Sequence, residues 1–220
     1  MAPSKNAAAR RAHPGVCGGR GVCESTGKRG LRVALATNIE IKARCADLAA
    51  ARAIARRVAS EHVGLDRQVD TYFLTRSGRL KLRESSLSGG QLIPYLRPDR
   101  PGPKRSDYQV VPVSDPPVLK RILSEILGVH RVVEKRREIF LCDDVRIHLD
   151  RVEGLGDFLE LEAVTDGTPA AEAAARRVVD QLMRELGVGE DDLVAVSYEG
   201  LLEARGGDRS PATNRKPRTS

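Results

Sequence analysis

The chain has 220 residues, 40% of them hydrophobic, which suits one domain with a sizeable core and flanking tails. Aromatic residues make up only 3% and tryptophan is absent, so that core must be aliphatic. The net charge of +7 sits at the ends: residues 1–30 carry +5 and 205–220 carry +4, leaving 31–204 at −2, which argues against a nucleic-acid binder built on a basic folded face.

Residues 1–30 lack the apolar stretch of a secretory signal, and no run is long enough to span a bilayer. Cys17, Cys23, Cys45 and Cys142 show no zinc-type pairing. These features predict a cytoplasmic chain with neither a membrane nor a specific nucleic-acid partner. Residues 1–30 and 205–220 read as disordered basic tails around a domain at 31–204.

Residues 31–44 read as a strand in which Ile39, Ile41 and Ala43 alternate with Asn38, Glu40, Lys42 and Arg44. Asp47 then caps a helix over 48–60, with Leu48, Ala51, Ile54, Ala55 and Val58 on one face and Gly64 helping to end it. Residues 67–84 form a hairpin that turns at Ser77-Gly78 and carries Lys81 and Arg83 on one face of its second strand. Gly89-Gly90 leads to Gln91–Arg97, where Pro94 marks an edge or a bulge. The proline-rich 98–106 reads as a loop, followed by a short strand at Tyr108–Val113. A second helix starts at Ser114 or Asp115 and stops before Gly128, with Val118, Leu119, Ile122, Leu123, Ile126 and Leu127 as its apolar stripe.

Residues 131–141 give a strand with Lys135 and Arg137 on one side. The hairpin of 145–164 follows, turning at Gly154 and Gly156. Val145, Ile147 and Leu149 take one face of its first strand, and Arg146, His148 and Asp150 the other. Glu160 and Glu162 alternate with Leu159, Leu161 and Ala163 on the second. Thr168-Pro169 opens a third helix that ends near Leu186, and Tyr198–Leu202 packs back on the sheet.

Nearly every strand therefore puts charge on one face. A sheet curled into a barrel encloses those charges beneath outward apolar faces, whereas an open sheet leaves them in water. An enclosed set of lysines and arginines calls for an anion of high charge density. Carboxylates among them make sense if they hold Mg²⁺ or Mn²⁺ that bridges to phosphate oxygens. A metal-bound triphosphate, of a nucleoside or otherwise, satisfies both sets. No glycine-rich phosphate loop and no Ser/His/Asp signature is present. His148 shares the charged face and reads as a polar filler.

In this order the residues resemble the CYTH proteins, the triphosphate tunnel metalloenzymes, over about 37–202. That family includes class IV adenylyl cyclases and thiamine triphosphatases. Its hallmark Glu-x-Glu-x-Lys is matched by Asn38-Ile39-Glu40-Ile41-Lys42. Asp70-Thr71-Tyr72-Phe73, Leu80-Lys81-Leu82-Arg83, Lys135-Arg136-Arg137, Asp150 and Glu160-Leu161-Glu162 match further. The resemblance implies an α+β fold, an antiparallel barrel of about eight strands forming a tunnel, with flanking helices. It implies that Glu40, Glu160 and Glu162 bind metal with Asp150 assisting. Lys42, Lys81, Arg83, Lys135 and Arg137 would hold the triphosphate, joined by Arg97, Lys104 and Arg146, with Lys42, Arg83 and Asp150 acting in catalysis. Asn38 departs from the hallmark and puts a second metal in doubt. The leading expectation is an adenylyl cyclase making cyclic AMP and pyrophosphate. Alternatives are a tripolyphosphatase or thiamine triphosphatase, or a non-catalytic polyphosphate-binding module. A homodimer is compatible with so small a barrel.

Overall fold

The structure, a computed structural model, describes residues 36–206. The expected tails at 1–30 and 205–220 lie outside the described residues, save for Arg205 and Gly206. Nine strands and four helices follow in the order β1 (Ala36–Arg44), α1 (Leu48–Val58), β2 (Glu61–Phe73), β3 (Arg79–Ser85), β4 (Gly89–Leu96), β5 (Lys104–Tyr108), β6 (Val111–Val113), α2 (Pro116–Leu127), β7 (Val129–Cys142), β8 (Val145–Val152), β9 (Gly156–Thr165), α3 (Pro169–Glu185) and α4 (Tyr198–Arg205). Antiparallel pairing runs β3-β2-β7-β8-β9-β1-β5-β4, and β4 pairs back onto β3. The result is a closed eight-stranded barrel, with β6 added along β4.

Closure sorts the alternating residues. The outward apolar faces of β1, β8 and β9 (Ile39, Ile41, Ile147, Leu149, Leu159 and Leu161) meet Ala51 and Ala55 of α1 and Val179 and Leu182 of α3. Full burial of each large aliphatic contributes about 1.5–3 kcal/mol, so the main core lies outside the barrel wall, beneath the helices. Asp47 fixes the start of α1, its Oδ1 accepting from the amides of Ala49 and Ala50 at 2.9 Å. A second cluster of Tyr72, Val133, Val152, Phe158, Val194 and Tyr198 packs at the level where α4 begins. It contains inward-facing residues, and Tyr72 and Tyr198 among them line the barrel cavity.

Three elements differ from expectation. Gly64 does not end a helix: it lies inside β2 with φ of 125°, at a bulge where the pairing with β7 shifts register. The strand thus begins well before residue 67. The supposed loop at 98–106 already contains the first half of β5. The apolar stripe of α2 is only partly covered. Leu119, Leu123 and Leu127 are half-buried, while Val118, Ile122 and Ile126 are exposed. The helix lies against β2 and β3 along one edge of that stripe.

A charged cavity inside the barrel

The inward positions of the strands line a cavity of about 550 Å³, within the range of small-molecule sites. Six cations (Lys42, Arg83, Arg97, Lys135, Arg137 and Arg146) and four carboxylates (Glu40, Asp66, Glu160 and Glu162) line it, so the balance is cationic. Register places them. Lys42 faces Glu160 and Glu40 faces Glu162 across β1 and β9. His148 faces Glu160 and Arg146 faces Glu162 across β8 and β9. Arg137 faces Asp150, and Asp70 faces Arg83.

Two buried aspartates organise the cations. Asp70 is fully buried. Its Oδ1 accepts from Arg83 Nε at 2.7 Å, and its Oδ2 from Arg83 Nη2 at 2.7 Å, Lys81 Nζ at 3.1 Å and Lys135 Nζ at 3.2 Å. Burial opposes its charge, but Arg83, Lys135 and Lys81 outweigh that and hold its carboxyl well below the usual range. Asp150, also fully buried, takes Arg137 Nε at 2.7 Å and the Tyr198 hydroxyl at 2.8 Å. Burial again opposes ionisation of Asp150 and Arg137 again prevails.

The expectation that Asp150 assists a metal meets a different arrangement: it does not line the cavity, and its oxygens accept from Arg137 and Tyr198. Lys104 is likewise spent elsewhere. It is fully buried, and its Nζ donates to the carbonyls of Arg100 at 3.0 Å, Val194 at 3.3 Å and Ala195 at 3.4 Å. It does not line the cavity, and burial lowers its ammonium to about 8. Lys81 does not line the cavity; it pairs with Asp70 and lies over the Tyr72 and Tyr95 rings, each centroid 5.6 Å away. Arg97 Nη1 donates to Glu40 at 2.7 Å, and Lys42 and Arg137 both bond Glu160. Glu162 is held more loosely, with Arg146 Nη1 at 3.7 Å and Arg137 Nη1 at 4.0 Å.

Burial lowers Lys135 to about 7 and Lys42 well below the usual lysine value, Arg97 adding to the latter. Burial and the Arg137 charge push His148 down to about 3, so its imidazole is neutral at physiological pH. Two groups escaped the sequence reading. Asp70 was visible only as part of a matching motif. Tyr198, placed merely as packing, bonds Asp150 and lies under Lys42, whose Nζ is 3.5 Å from the ring centroid. Asp66 was missed as well. Ser85, Ser86, Gln68 and the Leu87 amide saturate it, which pins the β3–β4 turn to β2.

A divalent cation fits the residues present. Ligand atoms of His148, Glu160 and Glu162 all lie within 4.8 Å of one another. His148 Nδ1 and Asn38 Oδ1 are buried acceptors without a hydrogen-bond partner among the described residues.

A model of the CYTH domain matches residues 36–198. An adenylate cyclase of Aeromonas hydrophila, CyaB, is 28% identical over 146 residues, which cover 63% of this chain and 73% of that protein. A Methanocaldococcus jannaschii protein, named provisionally as an adenylate cyclase, is 28% identical over 142 residues, 63% of this chain and 77% of its own. The solved structure of a Pyrococcus horikoshii OT3 protein superposes with a TM-score of 0.64 at 24% identity, covering 74% of this chain and 98% of that one. At that identity the likeness shows the fold.

Proposed function

The chain belongs to the CYTH family, and on that premise we propose that it is a metal-dependent enzyme acting on a nucleoside triphosphate, an adenylyl cyclase that converts ATP to cyclic AMP and pyrophosphate. The observation that carries this reading is the barrel cavity lined by six basic side chains, with two juxtaposed carboxylates on β9. The names of the two curated relatives support the cyclase within it. Exposed apolar side chains among the lining residues, Val63, Leu87 and Val110, support a ligand with an organic portion over bare tripolyphosphate.

Glu160 and Glu162, with Glu40 opposite, would hold Mg²⁺ or Mn²⁺, which when bound neutralises phosphate charge and polarises a phosphoryl oxygen. Lys42, Arg83, Lys135 and Arg137 bind the triphosphate oxygens, with Arg97 and Arg146 nearer Glu40 and Glu162. Asp70 and Asp150 hold the guanidinium planes in place before the substrate arrives, so little reorganisation is needed as charge builds on the reacting phosphorus. In cyclisation the ribose 3′-hydroxyl releases its proton to solvent as its oxygen bonds to the α-phosphorus, the bond to the bridging oxygen breaks, and pyrophosphate leaves. Lys42 and Arg137, which line the cavity together, would meet the charge on that leaving group.

The test is incubation of the purified protein with ATP and, separately, tripolyphosphate, each with Mg²⁺ or Mn²⁺. Equal amounts of cyclic AMP and pyrophosphate are expected. Orthophosphate alone would make it a triphosphatase, and tight binding without turnover a polyphosphate-binding module. Glu160→Gln and Lys42→Ala should each lower turnover about 100-fold or more. Unchanged rates in both would remove this site from the reaction.

A further inference from the structure

The cavity holds one group that the triphosphate reading leaves idle. His148 is 4% exposed, on the inward face of β8, and its Nδ1 has no hydrogen-bond partner among the described residues. That nitrogen lies 3.6 Å from Glu162 Oε1 and 3.9 Å from Glu160 Oε2, beyond hydrogen-bond length to either carboxylate. Three acceptor-bearing groups thus converge, with Arg137 donating to that Glu160 oxygen and no hydrogen bond joining the three to one another. Buried polar atoms are paired almost without exception, and an orphan calls for a missing partner. A shared proton would leave an imidazolium beside the guanidiniums of Arg137 and Arg146. Arg137 also bonds Glu160, and Arg146 lies near Glu162, on the same two carboxylates. A shared cation satisfies all three donors at once. Small side-chain adjustments close such a spacing around an ion with bonds of roughly 2.0–2.2 Å.

We propose that His148 is a ligand of the divalent cation, its Nδ1 completing a site with Glu160 and Glu162, and that this nitrogen biases the site towards Mn²⁺ over Mg²⁺. The inference rests on the triphosphate reading of the same cavity and names its metal preference. The chain's departure from the family hallmark points the same way. Asn38, where the family hallmark carries its first glutamate, offers a neutral amide oxygen one step along β1 from Glu40, and that oxygen too lacks a partner among the described residues. One hard anionic donor is therefore absent and one borderline nitrogen donor is present. Mg²⁺ takes oxygen ligands and keeps its waters, while imidazole favours first-row transition ions.

The test uses the full chain without added polyphosphate, which would itself chelate both metals. Mn²⁺ and Mg²⁺ affinities are measured by calorimetry, and nitrogen coupling to bound Mn²⁺ by pulsed electron paramagnetic resonance. Wild-type protein is expected to show ¹⁴N coupling typical of an imidazole and to bind Mn²⁺ at least tenfold tighter than Mg²⁺. His148→Gln and His148→Ala should abolish the coupling and weaken Mn²⁺ binding ten- to 100-fold, with Mg²⁺ changed less than threefold. Should both variants misfold, the wild-type spectrum alone decides. Mn²⁺ bound without nitrogen coupling, or with unchanged affinity in the variants, overturns the role of His148 and leaves the triphosphate reading standing. Failure of both metals to bind the protein overturns the site itself and the metal-dependent reading with it.

Discussion

Asp70 makes the strongest demand on the electrostatic account. One fully buried carboxylate receives Lys81, Arg83 and Lys135. Asp70→Asn keeps the shape and removes the charge, leaving three cations crowded around an amide. Removing one partner from a buried ion pair costs about 3–5 kcal/mol. For a protein of this length each kcal/mol shifts the melting temperature by roughly 2–4 °C, so a fall of about 6–20 °C is expected. A bound polyanion should recover much of that loss, because it supplies the negative charge the variant lacks. Tripolyphosphate should therefore raise the melting temperature of Asp70→Asn by more than it raises that of wild type. Turnover should still fall, about 100-fold, since Arg83 and Lys135 are no longer held in register with the substrate. Thermal unfolding with and without tripolyphosphate reads the first two effects, and steady-state kinetics the third. A melting temperature within about 2 °C of wild type would show that Asp70 is not the anchor of the cations. A smaller ligand shift in the variant would show that the ligand and Asp70 do not share those cations.

Burial holds Lys135 near 7, and a bound polyanion raises it again. Binding should then take up at least one proton near pH 8, Lys42 adding to Lys135, and affinity for tripolyphosphate should fall about tenfold or more per pH unit above 7, until the raised values are passed. Calorimetry in two buffers of different ionisation enthalpy checks this, and zero proton uptake would refute it. Lys104→Met should leave tripolyphosphate affinity within twofold while costing about 2 kcal/mol of stability in urea unfolding, because the carbonyls of Val194 and Ala195 lose their donor. A tenfold loss of affinity would return Lys104 to the substrate site. Tyr198→Phe keeps the ring under Lys42 but removes the 2.8 Å bond to Asp150. Its stability should drop by about 1.5–3 kcal/mol, the range for a hydrogen bond to a charged group, and an unaltered urea midpoint would argue that this bond contributes nothing.

The charged inward face was legible because strand alternation is strict. Once Ile39 and Ile41 are core, Glu40 and Lys42 must point the other way, and the same holds for Glu160 and Glu162 between leucines. Alternation gives direction but not partnership. Nothing in the sequence says that Asp150 is saturated by Arg137 and Tyr198, since Tyr198 arrives from α4, 48 residues further on. The same limit hid Lys104, whose acceptors come from the segment before α4. It also hid His148, whose significance depends on an atom left without a partner. β5 failed for a different reason. Its inward side, Lys104, Ser106 and Tyr108, is polar, with Lys104 bonding backbone carbonyls, and its outward side, Arg105 and Asp107, is ion-paired at the surface. A strand polar on both faces has no hydrophobic alternation to read, and the prolines before it favoured a loop.

The α2 stripe failed in the opposite sense. Its apolar positions span more of the helix circumference than one line of contact with β2 and β3 covers, so periodicity located the helix and overstated its burial. The two errors share a cause. Hydrophobic period reports what a segment could bury, whereas burial itself depends on whether the opposing surface is apolar, as outside β1, β8 and β9, or charged and hydrated, as inside this barrel. The charged residues were easiest to place and hardest to interpret for that reason. Their direction follows from the strand alone, but each one's role is set by whichever carboxylate or carbonyl the closed barrel brings to it.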